Sequence, residues 1–305
     1  MKILVTNNHY NEQGGSETWT YCLIYNLKKM HIDVDLYIFT KISRKSMLYK
    51  KTTESNIPIY IYDIPKKPYD LILANHTSTI NKLLTYYDKR IIIQTCHGIY
   101  SYLEQPVIKL NKFVCVSKEI QDHLKRKNLS SELILNGIDC ERFSPKNKIN
   151  NELKTILSMV QDNRALSVII DVCKELNINL IQHSKVHKQI FNIEDAINMS
   201  DLVITVGRGV YEALSCARNV ITYDSRRYYT NRPMGYGLLT SNESINEGSK
   251  DNFTGRNNKL YMNRDDLKNE ILKYDSKYGV MGRKYVLDNL NIKDNIEKYL
   301  AYSKV

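Results

Sequence analysis

The chain has 305 residues, which is enough for two modest hydrophobic cores or one large one. Apolar residues make up 42% and charged residues 25%, and no apolar run is long enough to cross a bilayer, so the composition excludes an integral membrane protein. The formal net charge of +11 indicates attraction to an anionic partner, and a basic face that is merely solvated is the alternative. Nucleotide phosphates, an anionic membrane surface and nucleic acid all fit that charge.

The cysteines and the N-terminal segment indicate the cellular compartment of the protein. Six are present without C-x-x-C pairs, and most lie in apolar segments, where a free thiol behaves as a small hydrophobe. The N-terminal segment MKILVTNNHY lacks the pattern of a secretory signal. We therefore expect a cytoplasmic protein, with peripheral contact to the inner face of a membrane left open.

The first half of the chain alternates between β-rich runs and amphipathic stretches. Segment 18–30 carries apolar residues at helical spacing and ends in lysines, which predicts the first crossover helix. Such alternation is typical of βαβ units with a parallel sheet. The predicted strands are 3–6, 34–39, 71–74, 91–95, 113–116 and 133–135.

The second half repeats this alternation after residues 145–152, a polar and charged segment that we interpret as a linker. The tail 283–303 has apolar residues at helical intervals and predicts terminal helices packed on the body. We therefore expect Rossmann-like domains at 1–147 and 148–284 and a terminal helix at 285–305. The predicted strands are 155–159, 179–182, 202–205 and 220–223, and the predicted helices are 165–176, 193–199 and 210–216.

Gly14 and Gly15 stand between the first strand and the first helix. A glycine pair there lets backbone amides approach a phosphate, and the helix N-terminus adds partial positive charge. The alternative is a flexible turn in which Ser16 caps the helix.

His97 and Gly98 follow the apolar run 91–95. Because ligands of open α/β sheets bind at the carboxyl ends of the strands, His97 is well placed to contact a substrate. The alternative is a structural histidine.

The segment Gly207-Arg208-Gly209 follows another strand and opens a helix that contains Glu212. The glycines bring amides close to an anion, Arg208 supplies a guanidinium, and Glu212 lies about one turn into the helix. This arrangement predicts a cradle for a nucleotide diphosphate, with a carboxylate that accepts ribose hydroxyls. The alternative makes Glu212 an ordinary helical residue.

Four segments together resemble one known family. They are MKILVTNN followed by GGSET, VCVSKEIQDHL, LILNGIDCERFSP and MSDLVITVGRGVYEALSCARNVITYDS. In this order they are similar to the GT-B glycosyltransferases of the glycogen-synthase-like group, glycosyltransferase family 4. Asn136-Gly137-Ile138-Asp139, with Arg142, Phe143 and Pro145, resembles the hinge-region signature of that family.

The resemblance implies an α/β fold of the GT-B type, in which two Rossmann-like domains with parallel sheets face each other across a cleft. It implies a donor nucleotide held by the C-terminal domain, an acceptor held by the N-terminal domain, retention of anomeric configuration, and no metal or other cofactor. By position, Gly14 and Gly15 meet the donor diphosphate, His97 lies beside the transferring sugar, and Glu212 binds the ribose. Arg164 replaces basic residues that neutralise the leaving diphosphate.

The sequence departs from the family pattern in two places. No glutamate precedes Glu212 in a glycine- and aromatic-rich loop, since the loop is short and has the sequence GRG. The usual Gly-Arg and Glu-Lys-Gly after the first strand of the second domain are replaced by residues 158–164. Together with the segment 252–256, these features resemble a compact subset of the family. Arg208, Arg226, Arg227 or Arg256 would then compensate the diphosphate charge.

Several further side chains belong to the expected site or are set aside from it. We expect acceptor contacts from His9, Tyr10, His76 and Tyr100, with the two tyrosines stacking on the acceptor. His183 and His187 are four residues apart, but no third ligand accompanies them, and we predict no metal site.

The sequence thus predicts an enzyme that moves a sugar from a nucleotide-diphosphate donor to an acceptor hydroxyl. The acceptor is a saccharide or a lipid-linked saccharide, with a modified DNA base as the second choice. A nucleotide-sugar epimerase and a nucleotide-sugar-binding protein that has lost transfer activity remain alternatives on the same fold.

Overall fold

The computed structural model describes residues 1–11, 14–184, 190, 192–226 and 232–304. The chain divides into two compact units. Unit 1 comprises Met1–Gly137 and Ile292–Val305, and unit 2 comprises Ile138–Asn291. The sequence analysis placed the first boundary at 147, ten residues after the observed one, and the second at 284, seven residues before the observed one. None of the described helices is long and apolar enough to cross a membrane.

Unit 1 is built on a parallel sheet. Its strands run in the order β3-β2-β1-β4-β5-β6-β7. Both faces of such a sheet are covered, so its strands are continuous apolar runs, and β4 and β5 are buried at every residue. The strands are β1 Lys2–Asn7, β2 Asp33–Ile38, β3 Ile59–Ile61, β4 Leu71–Ala74, β5 Ile92–Cys96, β6 Phe113–Cys115 and β7 Glu132–Leu133.

Unit 2 has a second sheet with the strand order β12-β11-β10-β8-β9. Four strands are parallel, and β12 at the edge pairs antiparallel with β11. The strands are β8 Thr155–Ser158, β9 Asn179–Gln182, β10 Leu202–Thr205, β11 Asn219–Asp224 and β12 Met234–Leu238.

The helices connect the strands of each unit, and the last one returns to unit 1. They are α1 Gly15–Lys29, α2 Met47–Glu54, α3 Thr77–Leu83, α4 Lys118–Arg126, α5 Asn163–Glu175, α6 Ile193–Asn198, α7 Arg208–Ser215, α8 Asn242–Ser249, α9 Arg264–Leu272, α10 Lys277–Asn289 and α11 Ile292–Ser303. The predicted α/β class, with a Rossmann-like parallel sheet in each unit, is confirmed.

The C-terminal helix α11 packs on α1 of unit 1. The rings of Trp19 and Tyr299 meet edge to face with centroids 6.1 Å apart, and the Tyr299 hydroxyl lies 3.1 Å from Thr95 Oγ1. Lys112 donates to the carbonyl of Ser303. The end of the chain therefore completes the core of the unit that its beginning builds.

Residues 145–152 lie inside unit 2 and are fixed to it by hydrogen bonds, so the linker interpretation is corrected. The amide N–H of Lys146 donates to Asn198 Oδ1, and both the main chain and the side chain of Asn150 donate to Asp201 Oδ1. Buried Arg218 donates to the carbonyl of Asn147. The polar residues of this segment hydrogen-bond to buried partners, so the segment is not a free linker between domains.

Two strands were not predicted from the sequence. β3 has only three half-buried residues and follows a proline, so its apolar signal is weak. β12 contains two glycines, and glycine is unfavourable in a strand unless another backbone approaches closely. That approach exists, because a Cβ at Gly235 would lie 1.9 Å from the carbonyl oxygen of Thr222 on β11.

Candidate functional site

The carboxyl ends of β1, β4 and β5, which are neighbours in the sheet, carry polar side chains at one edge of unit 1. Asn8 follows β1, Asn75 and His76 follow β4, and His97 follows β5. In parallel sheets this edge is where ligands bind. We call these residues, together with Glu104, the unit 1 cluster.

His97 is held in a defined orientation by a hydrogen-bond chain. Asn75 donates through Nδ2 to Thr20 Oγ1, so its Oδ1 is the atom that lies 3.1 Å from His97 Nε2 and accepts from it. His97 therefore carries a proton on Nε2 in this arrangement. Trp19 packs edge-on against the imidazole with centroids 5.2 Å apart. The sequence expectation that His97 lies at a strand end is confirmed.

Glu104 belongs to the same cluster and was missed by the sequence analysis. Its Oε2 accepts from the main-chain N–H of His97 at 2.9 Å, and its Oε1 lies 3.8 Å from His76 Nε2. Burial raises the pKa of Glu104 to about 7, and the nearby carboxylate of Glu17 adds to the shift. The spacing of residues 98–105, which include a short 3₁₀ helix at Tyr102–Glu104, does not distinguish this glutamate, because its contact with His97 depends on how the loop folds back.

The loop that carries Glu104 is fixed to the body of unit 1. Thr77 Oγ1 lies within hydrogen-bond reach of the carbonyls of Tyr102, Leu103 and Gln105. Gln94 donates from β5 to the Gln105 carbonyl at 2.9 Å. The carboxylate is thus placed by a stable turn.

His76 is buried and neutral. Its Nδ1 accepts from the main-chain N–H of Asn8, which leaves the ring proton on Nε2, on the side of Glu104. Burial lowers the pKa of His76 to about 4. The residue has φ +69, a backbone conformation unusual for a side chain other than glycine.

The other expected acceptor residues differ in their exposure to solvent. His9 is exposed beside Asn8, and Tyr100 retains half of its surface. Tyr10 is fully buried, and its hydroxyl lies 3.0 Å from Thr52 Oγ1. The expected stacking of Tyr10 on an acceptor is therefore corrected, because its ring faces the core.

Helix α1 begins at Gly15 after Gly14, and no side chain caps it. Ser16 donates to Glu17 Oε2 instead, so the alternative in which Ser16 caps this helix is wrong. A Cβ at Gly15 would meet no atom of the described residues within 4 Å beyond the adjoining chain and the backbone of its own helix. Partial positive charge collects at this helix N-terminus.

In unit 2, Gly207 joins β10 to α7 with φ +66 and ψ −139, a conformation that only glycine adopts readily. Its N–H donates to the Asn252 carbonyl, and the Asn252 side chain packs at 3.3 Å from the position of a Cβ. The loop that follows α8 is thereby placed beside the turn. Gly209 has another reason to be glycine, since a Cβ there would lie 2.6 Å from Thr205 Oγ1.

Arg208 and Glu212 form a buried ion pair one turn apart on α7. Arg208 Nε donates to Glu212 Oε1 at 2.8 Å, and the two side chains are 7% and 9% exposed. Glu212 is therefore oriented by Arg208.

Two further arginines lie at the same edge of the unit 2 sheet, beyond β8 and β11, the neighbours of β10. Arg164, at the start of α5, donates to the carbonyl of Ser225, and Ser225 donates to Asp162 Oδ1. Arg226 donates through two nitrogens to Asp224. The turn 207–209 and these side chains of Arg164, Arg208, Glu212 and Arg226 are called the unit 2 cluster. Arg256 lies in the loop after Gly255, and Arg227 falls outside the described residues.

Within the described ranges, no group of three or more His, Cys, Asp or Glu side chains is arranged to hold a metal ion. His183 is buried and its Nδ1 accepts from the main-chain N–H of Ile190, whereas His187 lies outside the described residues. All six cysteines are buried thiols outside any disulfide, and the sequence had placed most of them in apolar segments. Burial raises the thiol pKa of Cys115 and Cys173 to about 11.

The fold matches solved structures closely, although the sequence does not. No protein-family model and no curated protein matches the chain. A mutant of TarM from S. aureus, in complex with fondaparinux, alpha-GlcNAc-glycerol and UDP, is 10% identical with a TM-score of 0.69 over 100% of both chains. An alpha-glucosyltransferase in complex with UDP and a 13-mer DNA is 12% identical with a TM-score of 0.63, again over 100% of both chains.

A third similar structure is that of a putative epimerase rather than of a transferase. It is a putative UDP-N-acetylglucosamine 2-epimerase from Listeria monocytogenes, 13% identical with a TM-score of 0.58 over 93% of this chain and 90% of that one. At these identities the likeness establishes the fold alone. The chain therefore has the fold of these nucleotide-sugar enzymes.

Proposed function

We propose that the protein is a glycosyltransferase that moves a sugar from a nucleotide-diphosphate donor to an acceptor hydroxyl. The observation that carries the proposal is the unit 2 cluster, where three arginines and the Gly207 turn occupy one sheet edge. Anionic diphosphates bind where guanidinium groups and helix N-termini meet. The shared fold with structures that contain UDP supports the same function.

In the proposed donor site, Arg164, Arg208 and Arg226 neutralise the diphosphate. Glu212 Oε1 already accepts from Arg208, so Oε2 is the atom proposed to accept from the ribose hydroxyls. The charge that develops on the leaving diphosphate is stabilised by groups held in place before the reaction. No metal is assigned to the reaction.

The acceptor is proposed to bind at the unit 1 cluster, with His97 beside the transferring sugar and His9 and Tyr100 at its exposed margin. The acceptor hydroxyl attacks from the face that the diphosphate leaves, which retains the anomeric configuration. A saccharide or lipid-linked saccharide is the first choice of acceptor. Gly14 and Gly15, at the N-terminus of α1, are proposed to contact the donor diphosphate.

The test is a screen of uridine, guanosine and thymidine diphosphate sugars for thermal stabilisation, followed by product analysis. A donor present at about 100 times its Kd raises the apparent stability by about 2.7 kcal/mol. Transfer to an added saccharide, with release of the nucleoside diphosphate, supports the proposal. An altered sugar without acceptor identifies an epimerase, and stabilisation without any chemistry identifies a binding protein.

A second candidate acceptor, a modified base in DNA, is favoured by one surface feature of unit 1. Lys41, Arg44 and Lys45 are exposed, and none of them forms an ion pair with another described residue. We call these three residues the basic loop. Asn11 holds this loop, donating to the Lys41 carbonyl and accepting from the Ser43 N–H. Thr40, which precedes Lys41, lies 3.3 Å from the ring of His9 through its Oγ1, so the loop begins beside His9 at the carboxyl edge of the sheet.

A further inference from the structure

The unit 1 cluster contains a carboxylate oxygen with no assigned task. Glu104 Oε2 accepts from the His97 N–H, but Oε1 accepts no hydrogen bond from the residues that the structure describes, and His76 Nε2 is 3.8 Å away. The side chain is mostly buried and retains 19% of its surface, and Oε1 is not among the fully buried polar atoms that lack a partner. The oxygen is thus fixed in position and only partly covered.

A purely structural role explains only half of this arrangement. A glutamine would accept the same hydrogen bond from His97 without the desolvation cost that a buried carboxylate carries. His76 does not neutralise the charge, because its Nδ1 accepts from Asn8 and burial lowers the pKa of His76 to about 4. The neighbouring Glu17 carboxylate makes the ionised form still less favourable.

We propose that Glu104 is the general base of the reaction and takes the proton from the acceptor hydroxyl through Oε1. This inference rests on the proposed glycosyl transfer and adds to it a residue for proton removal. The acceptor oxygen forms a bond to the anomeric carbon, and its proton passes to the Glu104 carboxylate. The bond between the anomeric carbon and the diphosphate breaks, and the diphosphate leaves with the electron pair.

The titration of Glu104 suits this task at neutral pH. Burial raises the pKa of Glu104 to about 7, close to where a general base is most effective. The titratable groups facing it are His97 after β5, His76 at the start of α3 and Glu17 on α1, and the buried thiol of Cys96 lies near enough to be affected by its charge.

The test compares Glu104→Gln with the wild type, using a donor sugar identified in the screen and either water or azide as the acceptor. Water must lose a proton on attack, whereas azide has none to lose. We expect Glu104→Gln to slow nucleotide release with water by at least about 100-fold and to transfer to azide as fast as the wild type. Glu119→Gln, a buried glutamate of α4 outside the cluster, is the matched control and should leave both rates unchanged.

Titration gives a readout that does not depend on turnover. A carboxyl whose pKa is raised on folding stabilises the folded state below its unfolded pKa, here 4.5, and that contribution is lost as the pH rises through about 7. The urea midpoint of the wild type should therefore fall relative to that of Glu104→Gln between about pH 5 and about pH 8.

Each outcome decides the question. Equal loss of activity with water and azide assigns Glu104 a structural role and overturns the proposal, as does full activity of Glu104→Gln with water. Parallel midpoints at both pH values overturn it as well. A wild-type chain that releases nucleotide from no donor tested overturns the proposed glycosyl transfer and this inference with it.

Discussion

Gly207 occupies a turn where any other residue is strained. Its φ of +66 and ψ of −139, with the Asn252 side chain 3.3 Å from where a Cβ would lie, predict that Gly207→Ala lowers the free energy of unfolding by about 1–3 kcal/mol. Urea denaturation measures this loss. Gly15→Ala is the control, because a Cβ there meets no atom of the described residues within 4 Å beyond the adjoining chain and its own helix backbone. Alanine also loses less backbone entropy than glycine on folding, so we expect no loss of stability. A Gly207→Ala chain as stable as the wild type would contradict the strain argument.

The Arg208–Glu212 ion pair gives a second prediction at the residue scale. Removing one partner of a buried pair leaves an uncompensated charge and costs about 3–5 kcal/mol. Glu212→Ala should therefore lose stability by this amount and bind UDP at least about tenfold more weakly, as measured by calorimetry. Glu247→Ala removes an exposed pair with Lys250 and should change stability by less than about 1 kcal/mol. Unchanged UDP affinity in Glu212→Ala removes Glu212 from the donor site.

At the scale of elements, α11 shows how a helix distant in sequence completes a core. Tyr299 is buried against Trp19, the chain's single tryptophan, and its hydroxyl reaches Thr95 on β5. Fluorescence of Trp19 therefore reports on unit 1. Removal of α11 from the fold would leave the Trp19 side of α1 without its partner.

Substitutions at Tyr299 test this packing. Tyr299→Ala should cost about 3–5 kcal/mol, because it leaves a cavity in place of an aromatic ring. Tyr299→Phe removes only the hydrogen bond and should cost about 1 kcal/mol. The urea midpoint followed through Trp19 fluorescence measures both, with exposed Lys298→Ala as the control. Equal midpoints for Tyr299→Ala and the control would mean that α11 does not support unit 1.

At the scale of the whole molecule, the net charge of +11 favours DNA binding, and its effect depends on where the basic side chains lie on the surface. Lysine and arginine side chains that bind DNA phosphates release counterions, and removing one such side chain lowers the slope of log affinity against log salt by about one. Replacing Lys41, Arg44 and Lys45 together with alanine should therefore lower the slope for duplex DNA by about three. Titrations at several salt concentrations measure it.

The matched control changes the net charge by the same amount at the other edge of the same sheet. Lys82, Lys89 and Lys109 are exposed and precede β5 or β6 rather than following a strand. Their triple alanine variant should bind DNA with the slope of the wild type if the basic loop binds the phosphates. An equal effect of both triple variants would assign the binding to net charge alone, and no binding by the wild type would favour the saccharide acceptor.

The sequence by itself determined the elements whose signal is local. Continuous apolar runs such as 71–74 and 202–205 predicted buried parallel strands with the bounds that the structure shows, because both faces of such strands are covered. His97, Arg208 and Glu212 were identifiable as candidates because each follows a strand end.

Only the tertiary structure decided what depends on contacts between distant segments. Glu104 joins His97 and His76 because its loop folds back onto α3, and Tyr10 leaves the expected acceptor set because its ring turns into the core. The polar segment 145–152 proved to be fixed by Asn198 and Asp201, some fifty residues later. The spacing of residues along the chain does not reveal these partners, because the hydrogen bonds and the burial of the side chains are established only once the chain has folded.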